Sequence, residues 1–357
     1  MKLDNLQVLR AIAAYMVLLV HVDDIEAKHG QGRILGSWAN VGDCGIDLFF
    51  VISGFVMVLV THNTMGSARD AAKFIRSRAT RIYPLWWICL SALVPIWLLK
   101  PELVYGGAQL EIDFLKDYLL VPKSEAPLLQ TGWTLIHEMY FYSVFAVLLL
   151  FPLGERRRIS LIILWGVLAV GSGLLISPSK ADAPILRLVT NPMTLEFVAG
   201  AVAAFLWRST KGALGPAALF AGLVAFGTGI SLQLSGSVED IIIDRLNVDW
   251  VRVILFLPAS ALIAYGAASV ELRQGWKATG LPVHLGNWSY SLYLTHMLAA
   301  SAFGMIWGKV AVPGIADNIF GIAGLVVGCT IVAWISYTVF EQPMIKRVRA
   351  LGKPAFA

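Results

Sequence analysis

The sequence predicts an all-α integral membrane protein with about ten transmembrane helices and both termini in the cytoplasm. Of its 357 residues, 57% are hydrophobic and 14% are charged, whereas a soluble domain usually carries about 25% charged residues. The net charge of +5 arises mainly in short connecting segments, where basic residues set membrane topology. The composition therefore argues against a soluble enzyme, and the basic balance does not indicate a nucleic-acid partner.

Ten apolar segments are candidates for membrane spans. A helix that crosses a bilayer needs about 20 predominantly apolar residues. Because no polar stretch is long enough for a soluble domain, we expect a single transmembrane domain, residues 1–345, and a short basic cytoplasmic tail, residues 346–357. The predicted spans are 6–22, 44–62, 84–99, 133–153, 159–177, 191–207, 213–235, 253–269, 284–308 and 316–340.

Basic residues are distributed unevenly between the connecting segments. If the N-terminus is cytoplasmic, most of the 28 Lys and Arg residues fall on the inside, and most loop acids fall on the outside. Cytoplasmic loops generally carry an excess of Lys and Arg. The bias therefore favours an even number of spans with both termini inside.

Two ionisable residues share one face of the first predicted span. Arg10 and His21 are eleven positions apart, so they lie on one side of a helix and about 16 Å apart along its axis. Ionisable groups inside a bilayer are costly and are functional candidates. Two structural interpretations stay open: Arg10 extends its guanidinium to the inner interface, and His21 is a hydrated residue at a helix end.

Further acids and bases fall at the depth of His21 under this topology. Asp47 begins the second span, His137 and Glu138 begin the fourth, and Glu196 lies in the outer half of the sixth. A carboxylate beside a histidine orients the imidazole, which suits a general base acting on a hydroxyl. Structural roles for Asp47 and Glu196 stay open. No second histidine follows Glu138 at the spacing of a zinc-protease helix, so we expect no catalytic metal.

An arginine pair precedes the third span on the predicted inner side. Arg78 and Arg81 are three residues apart and would be neighbours on a helix. Such a pair binds phosphate through forked hydrogen bonds, although ordinary positive-inside charge is the alternative. The sequence thus predicts an anion-binding set facing the cytoplasm and an acid/base set toward the outside, as a phosphorylated donor and an outer acceptor would require.

Six short motifs follow one another between residue 3 and about residue 343. They are Leu6-Gln-Val-Leu-Arg10-Ala-Ile-Ala with His21; Gly45-Ile-Asp47 through Ser53-Gly54-Phe55; Arg78-x-x-Arg81-x-x-Pro84-x-Trp86; Trp133-Thr134-Leu135 with Glu138, Phe141 and Tyr142; Ser289-Tyr290 through Tyr293 and His296; and Glu341-Gln342-Pro343. Each motif is weak alone, but the ordered set is specific. In this set the chain resembles the acyltransferase-3 family of membrane acyltransferases.

The resemblance implies transfer of an acyl group to a hydroxyl of a surface polysaccharide or lipid-linked glycan at the bacterial inner membrane. The usual group is acetyl, and the implied donor is acetyl-CoA. The implied partners are acyl-CoA, the glycan acceptor and membrane lipids, without nucleic acid or metal. Stand-alone exopolysaccharide acyltransferases are the most similar members. Many relatives carry an additional extracytoplasmic domain, which we do not expect here, so either the membrane domain or a separate partner completes the transfer.

The residues and the resemblance together give three groups of candidate site residues. The resemblance implies His21 as the central catalytic residue, acting as base or as transient acyl carrier. The catalytic group is His21, Arg10, Glu138 and Asp47; the donor-binding group is Arg78, Arg81, Ser53 and Trp86; and the substrate-binding group is Trp133, Glu196, Tyr290, Tyr293 and His296. Packing of Ser53 with Gly54 against a neighbouring helix is an alternative, as is a core role for His296.

Two functions of other classes stay open at this point. A proton-coupled transporter or exporter of a glycan or its lipid-linked precursor would also place ionisable residues within the membrane. An assembly subunit of a polysaccharide secretion complex would need no catalytic residue. The sequence also leaves open whether the chain acts alone or as a homodimer.

Overall fold

The computed structural model describes residues 3–104, 112–176, 183–236 and 248–351. These ranges are mostly helical and contain no strand, which confirms the predicted all-α class. The last residues of the predicted tail, 352–357, lie outside them. The long helices are α1 Asp4–His29, α2 Cys44–Thr61, α3 Ala68–Leu99, α4 Gly132–Leu149, α5 Glu155–Ile176, α6 Thr194–Ser209, α7 Gly215–Leu234, α8 Val248–Gln274, α9 Leu281–Trp307 and α10 Ile315–Ser336. A π-helical turn, Tyr337–Glu341, joins α10 to α11, Gln342–Leu351.

Each of the ten predicted segments coincides with one of α1 to α10, but several bounds differ. The largest difference is in α3, which begins at Ala68 and not at residue 84. The Ser67 side chain caps the helix by accepting a hydrogen bond from the Asp70 backbone N–H, at 3.1 Å. The search for apolar runs missed this first half because it is rich in arginine and lysine.

Seven helical stretches are long and apolar enough to cross a membrane, and they include α2, α3, α5, α6, α7, α8 and α10. The chain is therefore a multi-pass membrane protein. The other long helices among the described residues, α1, α4 and α9, fall short of that apolarity. They contain Arg10 and His21, His137 and Glu138, and His296, respectively. Each of these three helices thus carries ionisable candidate site residues, which lower its apolarity.

Glycines bring α2 and α6 into direct backbone contact. A Cβ atom added at Gly54 would lie 2.0 Å from the Phe197 carbonyl oxygen, and one at Gly200 would lie 1.9 Å from the Val51 carbonyl oxygen. Small residues permit such close approach between membrane helices. This contact fixes the rotation of α2, and therefore the direction in which neighbouring Ser53 points.

Glycines also bring α1 into close backbone contact with both α2 and α9. A Cβ atom at Gly45 of α2 would lie 2.5 Å from the Ala13 carbonyl oxygen, and one at Gly286 of α9 would lie 1.9 Å from the Gln7 carbonyl oxygen. Since α1 has close backbone contacts on two sides, its polar residues are held at fixed positions between its neighbours.

Replacing Gly54 with alanine should destabilise the protein, because the added methyl group overlaps a backbone oxygen that cannot move without shifting α6. Overpacking of this kind costs about 1–3 kcal/mol. The measurement is the midpoint of thermal unfolding in detergent. Gly171→Ala on α5 is the matched control, since a Cβ there meets nothing within 4 Å. Equal midpoints for the two variants would contradict the packing analysis.

Candidate active site

A cavity of about 120 Å³ lies between α1, α2, α3, α4 and α9. Its wall combines residues that the sequence analysis assigned to separate catalytic, donor and acceptor groups. The predicted residues that line it are Arg10, Ser53, Arg78, Arg81, Glu138, Tyr290 and Tyr293. The structure thus places the donor-side arginines and Glu138 in one compartment.

The three arginines of the cavity lack carboxylate partners. Arg78 and Arg81 lie one turn apart on α3, and Arg10 enters from α1. Among the described residues, none of the three guanidinium groups forms an ion pair within 4.0 Å. Arg78 lies 6.0 Å from the ring centre of Tyr142, and Arg81 lies 5.9 Å from that of Tyr290. Aromatic faces attract cations without neutralising them, so the cavity retains positive charge.

Glu138 is held at the cavity wall by hydroxyl groups. Its Oε1 accepts a hydrogen bond from Ser53 Oγ at 3.0 Å and another, short one from the Tyr142 hydroxyl. The expected grouping of Glu138 with His21 is therefore not what the structure shows. The preceding residue, His137, points elsewhere and stacks on Phe50 with 6.2 Å between ring centres. Successive residues on a helix point about 100° apart, so α4 directs only one of the pair into the cavity.

His21 lies beside a second histidine, outside the lining of this cavity. The His21 and His296 ring centres are 5.0 Å apart, and His21 Nδ1 lies 3.4 Å from Asp24 Oδ2. His296 is 1% exposed; its Nδ1 lies 3.1 Å from the Leu292 carbonyl oxygen, and its buried Nε2 has no hydrogen-bond partner among the described residues. The His21 side chain is 21% exposed. The pair thus combines a buried imidazole with a partly exposed one.

Tyr293 connects the histidine pair to the cavity. It lines the cavity, its ring centre is 5.9 Å from that of His296, and its hydroxyl lies 2.7 Å from Thr134 Oγ1. Phe49 packs on its other side with 6.0 Å between ring centres. Tyr293 therefore lies between the arginine cavity and the histidine pair.

Comparison with known proteins identifies the family. The model of the acyltransferase-3 family, described as an acyltransferase domain, matches residues 3–338. The chain belongs to this family. This confirms the resemblance seen in the six motifs. The chain is therefore a membrane acyltransferase of the O-acetyltransferase kind.

Three relatives of the acyltransferase illustrate the match. The exopolysaccharide production protein ExoZ of Rhizobium meliloti is 31% identical over 88% of this chain and 93% of its own length. The acyltransferase MdmB of Streptomyces mycarofaciens is 27% identical over 83% and 79%. The putative O-acetyltransferase SACOL0978 of Staphylococcus aureus is 25% identical over 82% of this chain and 50% of its own. No solved structure matches the chain.

The acyltransferase also contains a buried ion pair that the sequence analysis missed. Arg252 Nη2 donates to Asp47 Oδ2 at 2.7 Å and to the Asp43 carbonyl oxygen at 2.8 Å, and Asp47 is 0% exposed. Glu196, also 0% exposed, lies within electrostatic reach of Arg252. Asp47 is therefore engaged by a guanidinium and does not orient His21. A permanent cation is the stronger partner for a buried carboxylate.

The two predicted tryptophans do not line the cavity. Trp86 is 0% exposed, and its indole N–H donates to the Asp117 carbonyl oxygen at 2.9 Å. Trp133 packs against Phe50 and His137, with ring centres 6.4 and 5.7 Å away. Trp86 is therefore part of the buried core, and Trp133 packs against Phe50, a residue of the cavity wall. Within the described ranges, no group of three or more His, Cys, Asp or Glu residues is arranged to hold a metal ion.

Arg252→Met should strongly destabilise the acyltransferase, because it leaves the Asp47 carboxylate buried without its partner. Loss of one member of a buried pair costs about 3–5 kcal/mol, whereas replacing both members with apolar residues is often close to neutral. Asp47→Leu combined with Arg252→Met should therefore recover most of the lost thermal stability in detergent. A double variant no more stable than Arg252→Met would contradict this assignment.

Proposed function

We propose that the chain moves an acetyl group from cytoplasmic acetyl-CoA to a hydroxyl of an extracytoplasmic polysaccharide or glycan precursor. The observation that supports the proposal is a set of three arginines, unpaired among the described residues, in a cavity whose wall includes Tyr293; Tyr293 packs against His296, and His296 packs against His21. The relative from Rhizobium meliloti is named for exopolysaccharide production, which supports a polysaccharide acceptor. Family membership favours this function over a transporter or an assembly subunit.

The donor enters on the side where α1 and α9 begin. Arg78 and Arg81 hold its diphosphate through charge-assisted hydrogen bonds, and Arg10 lies nearer the reacting end. Arg10 donates to Gln7 Oε1 at 3.2 Å, which leaves donor groups of its guanidinium free for the ligand. The long pantetheine arm then extends past Tyr293 toward His21, about 16 Å farther along α1.

At His21 the acceptor hydroxyl attacks the thioester carbonyl carbon. In the direct route the hydroxyl proton passes to His21, a C–O bond forms, the C–S bond breaks, and the leaving thiolate takes the proton. In the alternative route the imidazole attacks the thioester carbon, the C–S bond breaks, and the CoA thiolate leaves with the imidazole proton. The acceptor hydroxyl then attacks the acyl-imidazole, the C–N bond breaks, and the imidazole takes the hydroxyl proton. Asp24 lies beside Nδ1 and stabilises the imidazolium in either route.

The proposed topology has ten spans, both termini in the cytoplasm, and the bacterial inner membrane as location. Contacts between the helix ends support it. Lys277, which precedes α9, pairs with Asp4 at the start of α1 at 2.9 Å, and Arg76 of α3 donates to the Val348 carbonyl oxygen of α11 at 3.4 Å. Gln7 of α1 and Arg78 of α3 line the same cavity, so the start of α1 and the first half of α3 lie near each other. In this proposal the start of α1 and the end of α11 both face the side from which the donor enters.

Arg78→Ala combined with Arg81→Ala should weaken acetyl-CoA binding at least about tenfold, because each hydrogen bond between charged groups contributes roughly 1.5–3 kcal/mol. The measurement is calorimetric titration of the purified protein in nanodiscs. Arg156→Ala combined with Arg157→Ala removes two exposed charges from the start of α5 and should bind as the wild type does. If the wild type binds neither acetyl-CoA nor succinyl-CoA nor another short-chain acyl-CoA, the assignment of acyl-CoA as donor is wrong.

His21→Ala should reduce acyl transfer by a factor of at least about 100, as expected for loss of a general base. Donor binding should be retained, since His21 does not line the arginine cavity. The readout is labelled acetate incorporated into polysaccharide from which acyl groups have been removed with mild alkali. Normal transfer by this variant would rule out the proposed mechanism.

A further inference from the structure

The arginine cavity is too small to enclose acetyl-CoA. Its volume is about 120 Å³. Pockets that enclose even a drug-sized ligand measure roughly 300–1,000 Å³. If the chain uses acyl-CoA as proposed above, most of the nucleotide part of the donor must lie outside this cavity.

The charge of the cavity also matches only part of the donor. Arg10, Arg78 and Arg81 supply three positive charges, and Glu138 can offset one of them. The diphosphate of CoA carries about two negative charges at pH 7, and its 3′-phosphomonoester carries about two more. The cavity can therefore neutralise the diphosphate, but the phosphomonoester needs a second group of cations.

Such cations are exposed on the adjacent surface. We name them the terminal basic patch: Arg69, Lys73 and Arg76 on α3, with Lys346 and Arg347 on α11. The three α3 residues follow at intervals of four and three and so share one face of the helix. In the described part of the chain, no member forms an ion pair within 4.0 Å. The nearby Asp70 carboxylate accepts a hydrogen bond from Ser67.

The patch and the arginine cavity are connected through Ser77. Arg76 precedes Arg78 by two residues, so it lies about 3 Å away along α3 and about 200° around the helix axis, with Ser77 between the two arginines. The Arg78 guanidinium donates to the exposed Ser77 hydroxyl at 3.3 Å, so it reaches from the cavity to the surface. Arg76 also contacts the backbone of α11 at Val348. Helix α11 itself follows the turn that ends in Glu341, which lies within electrostatic reach of Arg81.

We infer that the terminal basic patch is a binding subsite for the 3′-phosphomonoester of the CoA donor. This inference rests on the proposed use of acyl-CoA and adds a surface site that holds the nucleotide while the arginine cavity holds the diphosphate. The two sites together select a donor that carries both phosphate groups. Phosphate groups of anionic lipids share this chemistry and are the other source of a ligand for the patch.

The test compares CoA with 3′-dephospho-CoA, which lacks only the phosphomonoester, by calorimetric titration in phosphatidylcholine nanodiscs. The wild type should bind CoA about fivefold more tightly, the contribution expected of partly exposed ion pairs. The variant Lys73→Gln, Arg76→Gln and Lys346→Gln should bind both compounds alike, with the wild-type affinity for 3′-dephospho-CoA. The control variant Arg156→Gln, Arg157→Gln and Arg273→Gln also removes three exposed charges and should discriminate as the wild type does.

Four results would overturn the inference. If the wild type binds both compounds with equal affinity, the patch is not a subsite for the phosphomonoester, although CoA remains the donor. If the wild type binds neither compound, CoA is not the donor. Equal loss of discrimination in the control variant would show that total charge, and not the patch, attracts the nucleotide. A difference between wild type and patch variant that appears only after phosphatidylglycerol is added would assign the patch to lipid headgroups.

Discussion

The close packing of α1 between α2 and α9 determines where the chemistry of this acyltransferase can occur. Glycines at 45 and 286 bring both neighbours against the α1 backbone. As a result, Arg10 faces the cavity and His21 faces His296, although both belong to one helix. Bulkier residues at the two glycines would separate the helices and open the wall of the cavity. The packing therefore couples the donor-side and acceptor-side groups through a single rigid element.

Three like charges in one small cavity repel one another, and burial within a membrane protein strengthens that repulsion. Glu138 offsets part of the charge but is already bound to two hydroxyl groups. A bound diphosphate would relieve the repulsion. The repulsion between the arginines is thus located where the donor is proposed to bind. By contrast, the Asp47–Arg252 pair is balanced and lies at the junction of α2 with α8, where it serves stability.

The helices could be predicted from the sequence because a helix that crosses a membrane needs about 20 predominantly apolar residues. The start of α3 could not, since its basic first half extends beyond the apolar run that defined the predicted span. The helical spacing of Arg78 and Arg81 was enough to predict that they line one cavity. The sequence did not determine the rotation of α4 about its axis, and so Glu138 was expected beside His21. Arg252 was missed because its partner is 205 residues away and no local spacing connects them.

The central claim is that acyl groups pass from a donor site at one face of the bundle to an acceptor site at the other. The most direct test uses proteoliposomes in which the N-terminus of the protein faces outward. Labelled acetyl-CoA is added outside the vesicles, and deacylated polysaccharide is either enclosed in them or added outside. We predict labelling of the enclosed polysaccharide alone. Labelling of the external polysaccharide alone would place donor and acceptor on one face and contradict the account.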